Sequence, residues 1–170
     1  MITLGLSQIE VGEAAENGIM PTTMAKIGKT YQNTCRLAQE ASEVTEHFEE
    51  GKASPEVRAK RKKVPVLNFS IMDPDPQVLA DYIGGTFTAA AVGPPATPAT
   101  WGFDGSELVD NKAIRVKTKQ GLWVDIPNAD IEAVINSEFS DQGIFLVDFT
   151  VTPLAVTAGK AITAYEGPAS

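Results

Sequence analysis

Alternation of apolar and polar side chains is strongest in the last third of the chain. In Gly143–Pro153, Phe145, Val147, Phe149 and Val151 share one face, while Asp148, Thr150 and Thr152 share the other. A period of two marks a strand with one buried face. Asp130–Phe139 precedes it across Ser140-Asp-Gln, and the pair reads as a hairpin. Lys112–Thr118 and Leu122–Ile126 flank Lys119-Gln-Gly and read as another. Upstream, Thr86–Val92 is a strand, the proline-stiffened loop Gly93-Pro-Pro-Ala-Thr-Pro follows, and Trp101–Phe103 starts a further element. Near the beginning, residues 3–11 alternate weakly up to Gly12. Residues 12–22 form a loop, and Thr23–Tyr31 is a short strand anchored by Met24 and Ile27. The stretch after Pro153 is rich in small residues and ends in one edge strand before Gly167.

Helical spacing occurs in two places. Asp73-Pro-Asp-Pro breaks the chain, Asp75 is placed to N-cap a helix, and Pro76 suits its first position. Gln77–Ile83 then carries Val78, Leu79, Tyr82 and Ile83 on one side, and Gly84-Gly85 ends it. The second place is 36–50, where Leu37, Ala41, Val44 and Phe48 fit a helical stripe. A strand there would put Ser42, Val44, Glu46 and Phe48 on one face, a poorer alternation, so periodicity alone favours helix.

Gly51 and Pro55 then mark a turn. The longest strand candidate follows, Val57 to Met72, charged on both faces in its first half and packable in its second. At about 3.3 Å per residue it would span roughly 50 Å. A compact domain of this length is only about 30–40 Å across. The charged end should therefore project, with the preceding segment as its antiparallel partner in a hairpin arm over 43–63.

Composition changes this picture little. The chain has 170 residues, 43% of them hydrophobic, which suits a single domain with a core. Its formal net charge of −8 opposes the basic surplus of a nucleic-acid binder. Such a surface suits either a conduit that must not grip DNA or simple solubility. The start of the chain lacks the basic and apolar run of a signal peptide, and no stretch reaches about 18 consecutive apolar residues. No membrane binding is expected, and a cytosol-like compartment is.

The residues that do chemistry are sparse. Cys35 is the only cysteine and His47 the only histidine, so no intrachain disulfide forms and neither a zinc site nor another metal site is expected. The two are twelve residues apart with no third orienting residue, a poor nucleophile and base pair. Gly105-Ser-Glu-Leu-Val is not a nucleophile elbow, and no phosphate loop occurs. Asp73, Asp75 and Asp81 lack the glycine and distal glutamate of a calcium loop. The expectation is no catalytic residue, no cofactor and no enzymatic activity. The basic run Arg58, Lys60, Arg61, Lys62, Lys63 could take phosphate, yet Glu40, Glu43, Glu46, Glu49 and Glu50 sit just across the turn. Folding the two together opposes unlike charges, each pair worth a few tenths of a kcal/mol up to about one. Such an arm suits a complementary patch on another subunit, or is a plain solvated hairpin.

Taken together, Val44-Thr-Glu-His-Phe-Glu-Glu-Gly-Lys-Ala-Ser-Pro-Glu-Val-Arg, the strand ending Val66-Leu-Asn-Phe-Ser-Ile-Met-Asp, the helix Gln77-Val-Leu-Ala-Asp-Tyr-Ile-Gly-Gly and the two strands Asp130–Phe139 and Gly143–Pro153 resemble the major tail tube proteins of tailed bacteriophages. The likeness is one of layout and covers most of the chain. It implies a mainly β fold spanning 1–170, a β-sandwich or barrel with one short packed helix at about 75–84 and a long projecting hairpin at about 40–72. It tips 40–48 towards strand. It implies hexameric rings of this chain stacked into a tube that passes DNA as cargo, within a virion tail assembled in the host cytoplasm beside other tail proteins. Mapped onto this sequence, Glu43, Glu46, Glu49, Glu50, Arg58, Lys60, Arg61 and Lys62 would make contacts between rings, and Glu132, Glu138 and Asp148 would line the lumen. A tail terminator, connector or baseplate subunit, or the tube of an injection or secretion machine, is the alternative.

Overall fold

A computed structural model describes residues 5–106, 108, 111–141 and 143–167. In chain order its elements are β1 (Leu6–Glu13), β2 (Ala25–Lys26), β3 (Lys29–Thr30), β4 (Arg36–Ala38), β5 (Glu43–His47), β6 (Val57–Arg61) and β7 (Val66–Met72), then α1 (Pro76–Ile83), β8 (Thr86–Thr88), β9 (Thr100–Gly102), β10 (Asn111–Thr118), β11 (Leu122–Ser137), β12 (Phe145–Pro153) and β13 (Thr163–Glu166). The protein is mainly β, as its alternation predicts. One antiparallel sheet in the order β2-β1-β10-β11-β12-β7-β3, joined by β13 on β11 and β4 on β7, curls into a half-barrel.

The concave face holds the core. Phe69 of β7 and Phe149 of β12 stand opposite each other with rings stacked at 5.0 Å. Ile9, Ile71, Ile114, Ile126, Val147 and Val151 surround them, each no more than 1% exposed. The one helix covers part of this face: Leu79 is buried, and Tyr82 meets Phe149 edge-on at 5.3 Å. Asp75 and Pro76 take the expected start positions, although the Asp75 side chain makes no capping bond. Gly84 ends the helix at φ 90°, a conformation that favours glycine, and its carbonyl accepts from Trp101 Nε1 at 2.8 Å.

The two ends of the sheet are linked by the chain itself. The expected strand Thr23–Tyr31 is two short pieces: Val11 pairs with Ala25 on β1, and Thr30 with Ile71 on β7. Between them Ile27 is buried and donates its N–H to the Ile9 carbonyl at 3.1 Å. This crossing segment spans the gap in the half-barrel.

Other boundaries differ from the sequence pattern for local reasons. The expected continuous strand Val57–Met72 stops at Arg61 and resumes at Val66, because its halves serve different sheets and Pro65, between them, has no N–H to give. Conversely, the stretches expected as Leu122–Ile126 and Asp130–Phe139 are one strand, β11. Pro127 is tolerated there because the ladder with β10 slips at that point, Ile114 facing Ile126 and Lys112 facing Ala129. The strand expected over Thr86–Val92 ends at Thr88, leaving one bridge from Ala91 to Thr97. β1 runs on through Gly12 to Glu13, and residues 3 and 4 of that expected strand lie outside the described residues. β13 precedes Gly167 as expected and pairs along one side only, with Leu122–Asp125 of β11, which makes it an edge strand.

Candidate assembly surfaces

The first candidate surface is the arm. The helical periodicity of 36–50 is overruled: residues 43–47 form β5, paired with β6 in a sheet of its own. All ten of its paired residues are exposed, so a helix would have had no surface to bury its stripe against. Unlike charges face each other across the strands, as the sequence suggests. Glu43 stands opposite Arg61, and Glu46 Oε1 lies 2.9 Å from Arg58 Nε. At the base Lys63 Nζ is 2.7 Å from Glu40 Oε2, a contact that lowers the glutamate's pKa and raises the lysine's. At the tip Lys52 pairs with Glu49 and approaches Glu56. Lys60 faces Val44, and Lys62 lies beyond the paired strand. His47 stands opposite Val57. The arm also exposes apolar side chains: Phe48 is 53% and Val57 57% exposed.

Residues 40–63 hold six acidic and six basic side chains. The arm is therefore neutral, and the formal net charge of −8 belongs wholly to the rest of the chain.

The second candidate surface is the outer face of β11, β12 and β7. Glu132 faces Thr150 there, and Asp148 faces Val134 and Ser70. Asp148 is tied down by Ser70 Oγ at 2.5 Å and Asn136 Nδ2 at 2.8 Å, while Glu132 is exposed. Glu138 is separated from these two: it follows the end of β11, in the turn. Asp130, one alternation before Glu132, joins this face, and the same period-two argument would have included it. Thr150 donates to Asn68 Oδ1 at 3.1 Å, so the face is polar across three strands.

Two further features were invisible in the sequence. On the outer face of β1, β10 and β11, Arg115 donates to both oxygens of Asp125 at 2.7 and 2.9 Å, and Tyr165 of β13 donates to Asp125 at 2.9 Å. Lys117 pairs with Glu10 at 2.5 Å and lies 4.4 Å from the Trp123 ring centre. These bonds hold the Arg115 guanidinium above its ordinary pKa, and burial, with help from Asp125, raises the Tyr165 phenol. They fasten β13 onto the sheet.

The other feature is a cleft of about 770 Å³ at the open side of the half-barrel. Leu67, Val116, Leu122, Val124 and Ile126 line it, Lys26 of β2 and Lys29 of β3 come to it from the crossing segment, and Lys119 comes from the turn between β10 and β11. Cys35 lines it too, its thiol pushed up by burial, the opposite of what a thiolate nucleophile needs. Among the described residues no cluster of His, Cys, Asp or Glu could hold a metal ion, and no helix is long and apolar enough to cross a membrane.

No family model and no curated protein matches this chain.

Proposed function

We propose that this chain is a self-assembling structural subunit whose copies close into hexameric rings and stack into a hollow tube, as in the tail tubes of bacteriophages, with DNA as passing cargo. The observation that carries the reading is the arm. A lone two-stranded hairpin is marginal in water, yet β5 and β6 pair only with each other and expose every paired residue. A neighbouring copy that covers Phe48 and Val57 and meets the arm's charges supplies what the hairpin lacks. Glu43, Glu46, Glu49, Glu50, Arg58, Lys60, Arg61 and Lys62 then make the contacts between rings.

The polar outer face of β11, β12 and β7 fits a lumen wall. Asp130, Glu132 and Asp148 present negative charge without a basic residue among them in Asp130–Pro153, so a passing phosphate backbone is repelled. The reading implies a chain that belongs to a virion tail, beside other tail proteins.

Sedimentation velocity tests the reading. The full chain should give species that grow beyond the monomer as concentration rises, and replacing Glu49–Pro55 with a short turn should reduce them. A monomer at every concentration and salt would overturn the proposal.

A further inference from the structure

We infer that the turn between β11 and β12 of one copy seats in the lysine-rimmed cleft of the next. The inference rests on the self-assembly reading and names a contact surface within it.

The cleft is chemically unusual for this molecule. Outside the arm the chain has eight basic residues against sixteen acidic ones. Three of the eight, Lys26, Lys29 and Lys119, gather at this one mouth, and among the described residues no acidic side chain lines it. All three are exposed, and none of them forms an ion pair among the described residues. The floor beneath them is apolar. Such a site takes an occupant with an apolar tip and negative flanks.

The same chain presents that occupant. Phe139, on the turn between β11 and β12, is 90% exposed, and Ile144, at the far end of the same turn, is 37% exposed. Glu138 and Asp141 flank Phe139, and the whole of Asp130–Pro153 contains five acidic residues and no basic one. No described residue of this turn lines the cleft, so turn and cleft are separate patches. A contact between separate patches is heterologous: each copy offers a free turn and a free cleft, and the chain of contacts closes into a ring or runs on as a helix. Burying one phenylalanine of this exposure strengthens association by roughly 10- to 100-fold. A free fatty carboxylate would match the cleft in chemistry, but only the turn is supplied by every neighbouring copy.

Cys35 makes the contact testable, because it is the only cysteine and it lines the cleft. Ser140→Cys adds a second thiol on the exposed turn. A short bismaleimide applied to the assembled full chain should then produce a ladder of covalent dimers, trimers and larger species on a denaturing gel. Removing the cleft thiol with Cys35→Ala should leave dimers at most. Phe139→Asp in the two-thiol chain should weaken the ladder at least tenfold. An assembled protein that gives no ladder, or one unchanged by Cys35→Ala, overturns this contact and leaves the assembly reading standing. So does dodecanoate that binds the cleft without loosening the assembly. A wild-type chain that never leaves the monomer removes the assembly reading itself, and this contact with it.

Discussion

Excising the arm separates its role from that of the body. Ala38 at the end of β4 stands directly opposite Val66 at the start of β7. An Asn-Gly pair can therefore replace residues 39–65 as a two-residue hairpin turn. The arm's ion pairs, Glu46–Arg58 and Glu40–Lys63, leave together with it and strand no partner in the body. So does the bond from Gln39 Nε2 to the Lys63 carbonyl. Loop-closure entropy changes by about 0.6 kcal/mol per doubling of length, and the excision amounts to nearly four halvings, or about 2 kcal/mol in favour of the shortened chain. The pre-formed hairpin already recovers part of that. The shortened protein should thus match the full chain in urea unfolding or exceed it by up to about 2 kcal/mol, while sedimentation shows stacking lost. A loss of more than about 1 kcal/mol would mean that the arm packs on its own body and is no free assembly element.

Other perturbations probe the body and the fastening of β13. Phe149→Ala, at a side chain 1% exposed between Phe69 and Tyr82, should cost about 3–5 kcal/mol in urea unfolding. Asp125→Ala leaves Arg115 and Tyr165 without their shared acceptor and should cost about 2–3 kcal/mol, more than Glu46→Ala in the exposed arm, at about 1 kcal/mol or less. Tyr165 has a folded-state pKa raised above the ordinary 10.0, so its contribution is complete below that value and is lost as pH rises through the raised one. Tyr165→Phe should remove that alkaline fraction of the stability loss, read as unfolding midpoint against pH. Contacts between exposed arm charges should weaken with salt, so the sedimentation coefficient should drop between low and high ionic strength.

Strands with one buried face were legible in the sequence. Phe145, Val147, Phe149 and Val151 alternate cleanly because the core lies on one side of β12 only. The arm was harder: its charges recur at helical spacing, and although the pairing across Gly51 and Pro55 was expected, nothing local says that the strand breaks after Arg61 so that β7 joins another sheet. Proline misled in opposite directions, ending a ladder near Pro65 and passing through one at Pro127, since register with neighbours decides its cost. Of the candidate surfaces, the arm's opposed charges could be read from their positions across a turn. Glu132 and Asp148 were assigned to one face correctly by alternation, whereas Glu138 lies past the strand where alternation no longer applies. The cleft was illegible, because Lys26, Lys29 and Lys119 meet only after residues 25–30 cross between the sheet's two ends.

Negative-stain electron microscopy of the full chain shows directly whether its copies assemble. A tube subunit gives sixfold rings with an open centre, joined by stacks of such rings as concentration rises. Isolated single particles at every concentration, with no symmetric class, would contradict that reading.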